Sequence, residues 1–258
     1  MLPRWRDQLR IFIAPKHVSM FRYARGWNAQ HTHRHILHCG EESPISPWTS
    51  SLALLRDYLR DFRWSRAQLH VVLSNHFVHY ATIPWKDQLA DTGERQAYLR
   101  HYFGMAYGDV STAWELRMSR SGMDLPSLAS GVDRELLLSL RDVFTQSGHK
   151  LSSVQPHLTT AFNRHRSAMS DGSAWFIQHE DERLCVALLQ DGAWRSVRSH
   201  AVGDDWTHHF ETVLARESVL CGVQPGVLPI FVCGEKGMGD LPQSVTRLPQ
   251  HGHVADQW

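Results

Sequence analysis

Long apolar runs, a bias of charge and paired cysteines are all missing from this chain of 258 residues. No window approaches 18 uninterrupted apolar residues, so no membrane-spanning helix is expected. The formal net charge is +1, a field too weak to point to nucleic acid or an anionic membrane as partner. The four cysteines, at 39, 185, 221 and 233, include no CxxC pair. That argues against a disulfide scaffold or a zinc ribbon and suits a reducing compartment. The opening MLPRWRDQLR has no apolar stretch of the secretory kind. The expected location is the cytoplasm.

What is present is a globular composition. Hydrophobic residues make up 42% of the chain, enough for the core of one large domain or two small lobes. LRIFIAPKHVSMFRYARG (9–26) reads as a β-hairpin with a corner at Pro15-Lys16-His17, and NAQHTHRHILH (28–38) as a third extended segment. WTSSLALLRDYLRDF (48–62) carries a helical apolar stripe. QLHVVLSNHFVHYATIPW (68–85) gives two strands broken at Ser74-Asn75. A helix is expected over 92–107, with Tyr98, Tyr102, Phe103 and Met105 or Ala106 near one face. Strand-like runs follow at 112–118 and 125–132. A further helix begins at the N-cap Asp133 and stops at Gly148. LSSVQP (151–156) is a short strand, and residues 157–169 a short helix.

The second half restarts the pattern. Residues 174–179, 184–190 and 193–200 make three antiparallel strands, the last two joined by the hairpin signal Asp191-Gly192. A helix over 206–221, a buried strand at 228–234, the loop EKGMGD and a last strand near 244–249 complete it. The duplicated order implies an α/β fold of two lobes with mixed sheets, each lobe opening with a three-stranded antiparallel meander. The expected division is 1–150, including a small inserted αββ element, and 151–258 for a shorter second lobe. One continuous α/β sheet with an antiparallel flank is the alternative.

This organisation resembles the actin-like superfamily, whose core is ribonuclease H-like. More narrowly, it is similar to the branch of pilus and secretion assembly proteins that includes PilM, the GspL cytoplasmic domain and MshI. LHVVLSNHFVHYATIPW (69–85), ERQAYLRHYFGMAYG, TAWELR, and DRELLLSLRDVFTQSGHKLSSVQPHLTTAFNRHR carry the resemblance. Within that last stretch, the strand after Gly148 is expected to enter the second lobe. The pattern covers roughly residues 9 to 249 and has no invariant motif.

The resemblance implies a nucleotide site, and the residues for one are sparse. A phosphate cradle wants glycine N–H groups and an acidic residue to organise Mg²⁺. The first corner has Ile13-Ala14-Pro15-Lys16 instead, and Pro15 removes a donor. Lys16 is the remaining candidate there. The second corner, 178–182, is acidic but lacks glycine. Gly234 and Gly237 stand where this superfamily packs a loop on adenosine, but a strand-ending turn is the better reading of them, because a lone glycine-containing loop is a weak signal. No cofactor is therefore expected, with ATP and Mg²⁺ as the alternative.

Other chemistry is thin. His31, His33 and His35 alternate, which places them on one strand face roughly 7 Å apart. They read as a solvated face, because no second cluster completes a metal site. His208-His209 and Glu211 do not form HExxH, and no Gly-x-Ser-x-Gly elbow occurs. The first ten residues mix Leu2, Trp5 and Leu9 with arginines, the makings of a peripheral membrane contact or of a packed tail. Tryptophans at 48, 64, 85 and 114 suit either core or an interface.

The resemblance thus implies a non-catalytic cytoplasmic scaffold at the inner membrane, working through protein–protein binding in a type IV pilus or type II secretion-like assembly platform. Its partners would be inner-membrane assembly proteins, with no nucleic acid and with homodimerisation left open. The alternatives are an ATP-binding actin-like protein with atypical phosphate loops and an unrelated α/β enzyme with a cleft site.

Overall fold

The computed structural model describes residues 8–23, 31–40, 46–61, 68–86, 91–119, 121–169, 172–203, 205–234 and 241–249. In chain order they form β1 (Gln8–Ile13), β2 (His17–Tyr23), β3 (His31–His38), α1 (Thr49–Asp61), β4 (Gln68–Leu73), β5 (Val78–Ile83) and α2 (Thr92–Tyr107). A short 3-10 turn leads to β6 (Trp114–Met118) and β7 (Ser127–Asp133), then α3 (Arg134–Gln146), β8 (Lys150–Pro156) and α4 (His157–His165). The rest is β9 (Ala174–Glu180), β10 (Arg183–Gln190), β11 (Ala193–Ala201), α5 (Trp206–Cys221), β12 (Ile230–Gly234) and β13 (Val245–Arg247). Two compact units result: Met1–Val78 with Asp133–Thr160 and His251–Trp258, and His79–Val132 with Ala161–Gln250.

The first unit holds a sheet of order β3-β2-β1-β4-β8. β1, β2 and β3 form an antiparallel meander, and β4 and β8 continue it in parallel. Strand alternation puts Leu9, Ile11 and Ile13 on one face beside Leu69, Val71 and Leu73, and none of the six is more than 1% exposed. α1 buries Leu52, Leu55 and Leu59; α3 buries Leu136, Leu140, Val143 and Phe144. The two helices pack together, α1 also against β2 and α3 against β8. Each aliphatic side chain so removed from water contributes about 1.5–3 kcal/mol. α3 starts where expected: the Asp133 carboxylate accepts the Glu135 N–H at 2.7 Å. It stops at Gly148, whose φ of 72° suits the residue after a helix.

The second unit repeats the arrangement with the order β11-β10-β9-β12-β13. Trp175, Ile177, Leu184, Val186, Leu188 and Val232 of this sheet form a core with Trp206 and Phe210 of α5. Asp191 and Gly192 both have positive φ, 51° and 76°, as a type I′ hairpin turn requires. In the same unit, β5, β7 and β6 make a three-stranded sheet in that order. α2 lays Leu99 and Phe103 on it, against Ile83, Trp114, Leu116 and Ala129.

The structure changes two expectations from sequence and adds one pairing that no expectation covered. The strand after Gly148 does not enter the second lobe: β8 pairs with β4, so the first sheet extends beyond residue 150. Two consecutive strands, β4 and β5, belong to different sheets. On α2, Leu99 and Phe103 are buried and the half-buried Tyr98 and Tyr102 pack against the same core, whereas Met105 is 63% exposed and Ala106 is exposed as well. Apolar residues on two adjoining faces left the sequence pattern without a unique inward side.

Candidate functional site

The first hairpin corner is drawn tight. Its Ala14 N–H donates to the His17 carbonyl at 3.0 Å. The Ser51 hydroxyl, from α1, donates to the Ala14 carbonyl at 2.6 Å and lies 3.4 Å from the Pro15 carbonyl. Cys39 closes the other side, its N–H on the Lys16 carbonyl at 2.8 Å and its sulfur 3.2 Å from Ser51 Oγ. Pro15 is buried and Lys16 exposed. Beneath them Phe12 packs with Ala14 and Val72, its ring 5.5 Å from His17 and 4.8 Å from His157. A phosphate-binding corner presents converging N–H groups to its ligand. Here one residue has no N–H, Ala14 spends its own within the turn, and three carbonyls are engaged by protein donors.

The second corner joins β9 to β10 through Asp181 and Glu182, both exposed. Glu182 takes φ 56°, the left-handed region normally left to glycine, and its carbonyl accepts the Val202 N–H at 3.0 Å. One residue before this turn Glu180 is buried, and His179 beside it stacks on Trp206 with ring centroids 4.3 Å apart. Burial pushes the His179 pKa down to about 4 against a smaller opposing pull from Asp181 and Glu180. This imidazole is therefore neutral near pH 7.

Gly234 ends β12, opposite His179 of β9. A Cβ at Gly234 would sit 2.8 Å from His179 Cβ and 3.1 Å from its carbonyl oxygen. The glycine thus lets two strands approach closely around a stacked histidine, a packing reason for its presence. Gly237 lies outside the described residues, as do Trp64 and residues 1–7.

The strand that carries the three histidines pairs irregularly with its neighbour. The β2–β3 register shifts so that Arg22 faces His33 while the next residue, Tyr23, faces His31. That irregularity breaks the alternation between His31 and His33. Their side chains are outside the described ones. His35 is exposed, its ring 5.5 Å from that of Tyr58. Among the described residues no three His, Cys, Asp or Glu side chains gather as a metal site.

Two polar clusters had no motif to announce them. In the second unit, Glu217 of α5 is 1% exposed, with Arg198 Nη1 at 3.6 Å and His200 Nε2 at 3.2 Å, both from β11. Burial lowers the His200 pKa against the opposing influence of Glu217, with Arg216 and Arg198 adding to the lowering. In the first unit a cavity of about 290 Å³ lies on β1, β4 and β8, lined by Gln8, Arg10, His70, Val71, Val72, Ser153 and Gln155. The strand QLRIFI held its signal: Gln8 and Arg10 interrupt one face of an otherwise apolar strand.

Two sheets with the same five-strand order, each opening with an antiparallel meander, define an actin-like ATPase fold. Among solved structures, the chain is similar to the cytoplasmic domain of EpsL, an inner membrane component of the type II secretion system of Vibrio cholerae. The TM-score is 0.61 at 12% identity, over 96% of this chain and 91% of that one. A PilM–PilN type IV pilus biogenesis complex matches with a TM-score of 0.64 at 11% identity, over 88% and 81%. A Bacteroides thetaiotaomicron protein with an actin-like ATPase fold and unknown function matches at 0.61 and 8% identity, over 89% and 82%. At such identities the likeness is one of fold, and it is the resemblance expected from the sequence. No protein-family model and no curated protein matches the chain.

Proposed function

We propose that this protein is a non-catalytic scaffold of a type IV pilus or type II secretion-like assembly platform, binding inner-membrane assembly proteins at the cytoplasmic face. The observation that carries the reading is the first corner. In a fold shared with the EpsL cytoplasmic domain and a PilM–PilN complex, the turn has Pro15 buried and its Ala14 carbonyl held by Ser51. A turn tied down in this way supports architecture kept for binding proteins rather than phosphates. Gly234, with its packing role against His179, points the same way. In this reading no nucleotide or metal is used, and Lys16 and the alternating histidines are surface residues. Among the described residues no helix is long and apolar enough to cross a membrane.

The test is co-expression with a short bitopic inner-membrane protein of a pilus or type II secretion assembly platform, followed by purification without nucleotide. The reading expects a stoichiometric complex through the partner's cytoplasmic segment. Assembly that occurs only with Mg·ATP would instead favour the reading as an ATP-binding member of the fold with atypical phosphate loops.

A further inference from the structure

The small sheet of the second unit has the order β5-β7-β6, so β6 is hydrogen-bonded within the sheet on one side only. A short turn joins it to β7, which makes the two strands antiparallel. Their register follows from two contacts. The Ser119 N–H donates to the Leu128 carbonyl at 2.8 Å, and a Cβ on Gly131 would lie 2.9 Å from the side chains of Leu116 and Trp114. In an antiparallel ladder alternate residues bond to opposite sides. Counting back from Ser119, Arg117 and Glu115 bond toward β7. Leu116 and Met118 therefore turn their N–H and C=O groups to the open edge.

Side chains alternate as well. Trp114 and Leu116 join the core under α2, and Glu115 and Arg117 share the opposite face, paired at 2.9 Å. An edge with free backbone groups is a template for another strand. This one is complementary to itself. Across a twofold axis through Leu116, an antiparallel copy sets Glu115 against the partner's Arg117 and Arg117 against the partner's Glu115. Leu116 then exchanges N–H···O=C bonds with its own copy, and the Met118 N–H reaches the partner's Trp114 carbonyl. The Trp114 N–H is already satisfied by the Ser111 carbonyl. The charged residues fall in the pairs without hydrogen bonds, where opposed side chains stand closest. An axis through Glu115 or Arg117 would instead set like charges face to face, which is unfavourable. Exposed apolar residues flank the strand: Val110 before it, Met118 at its end, Met123 and Leu125 in the turn beyond. Antiparallel pairing brings the start of one strand to the end of the other, and so Val110 to the end that carries the partner's Met118.

We propose that β6 is the contact edge of a twofold dimer of this chain, its two small sheets joined by an antiparallel β6 pair centred on Leu116. The contact lies wholly on the second unit and stands whether or not the scaffold reading holds. β6 has five residues. So short a strand makes a small interface, and the dimer is reversible, with a Kd of about 10–100 µM.

The test is analytical ultracentrifugation of the full chain from about 5 to 500 µM, a range that brackets such a Kd. The proposal expects a monomer–dimer equilibrium. Arg117→Glu and Glu115→Arg should each weaken it at least about tenfold, since each puts like charges opposite one another on both sides of the axis. The double variant, Glu115→Arg with Arg117→Glu, restores opposite charges and should return Kd to within about threefold of the parent. Met118→Pro removes an edge N–H without touching the β6–β7 ladder, and should weaken the dimer too. Should a charge variant fail to fold, Met118→Pro carries the comparison. A monomer at about 500 µM would overturn the proposal and leave the edge to a strand of another protein. A dimer indifferent to the single reversals would also overturn it, as would a double variant no tighter than the singles.

Discussion

The Ser51 hydroxyl on α1 donates a 2.6 Å hydrogen bond to the carbonyl of Ala14, in the turn where an actin-like fold would hold phosphate. Ser51 is fully buried, so the bond is a fixed part of the first unit. It ties the helix to the hairpin.

Ser51→Ala should therefore cost stability and gain no ligand. Leaving the Ala14 carbonyl without its donor is worth about 1–3 kcal/mol, readable as a lower urea midpoint with an unchanged slope. A variant as stable as the parent would mean that the contact contributes nothing and that the corner is looser than described.

Gly234→Ala separates a packing glycine from a ligand-binding one. The new Cβ would meet His179 Cβ at 2.8 Å and its backbone oxygen at 3.1 Å, and His179 is pinned by Trp206. Overpacking of this kind costs about 1–3 kcal/mol. Circular dichroism melts should show the loss; an alanine tolerated without change would remove the packing explanation.

His179 gives a pH dependence. Its folded pKa is lowered to about 4 by burial, against about 6.5 when unfolded. Between these values the unfolded chain binds the extra proton, so this group's contribution is full above about pH 6.5 and is lost as pH falls toward 4. His179→Phe should flatten the stability profile in that window. Parallel profiles for the two proteins would place the acid sensitivity elsewhere.

Glu217 should make Arg198 matter more than its half-exposed position suggests. Removing Arg198 leaves a carboxylate that is 1% exposed with only a histidine of lowered pKa beside it. We expect Arg198→Ala to cost about 1–2 kcal/mol after allowance for solvent screening, and Glu217→Leu to cost less. The reverse order in a denaturant series would show that the Arg198 contact adds nothing.

Much of the fold could be read from the sequence because its signals are local. Asp191-Gly192, the Asp133 cap and the stripe Leu52-Leu55-Leu59 each act through their own segment, and each stands in the structure as expected. Pairing partners are not local. Nothing in LSSVQP indicates whether it lies beside β4 or opens another sheet, and nothing in VHYATI assigns it to a different sheet from QLHVVL. The candidate sites follow the same rule. Pro15 could be recognised as a missing donor, yet Ser51 lies 37 residues from Ala14 and had no motif to link them. Ser153 lines the first-unit cavity beside His70 only through a one-residue slip between β4 and β8, which hydrophobic alternation in a seven-residue strand does not reveal.

The central claim is that a fold shaped like a nucleotide-binding one has here become a protein-binding scaffold. The most direct measurement is a titration of the purified chain with Mg·ATP and Mg·ADP, following heat of binding and melting midpoint together. A micromolar site at millimolar ligand would stabilise the fold by about 4 kcal/mol, several degrees in midpoint for a chain of this size. The account predicts no heat and no shift from a folded protein. A saturable shift abolished by Lys16→Ala would contradict it and restore the first corner as a phosphate site.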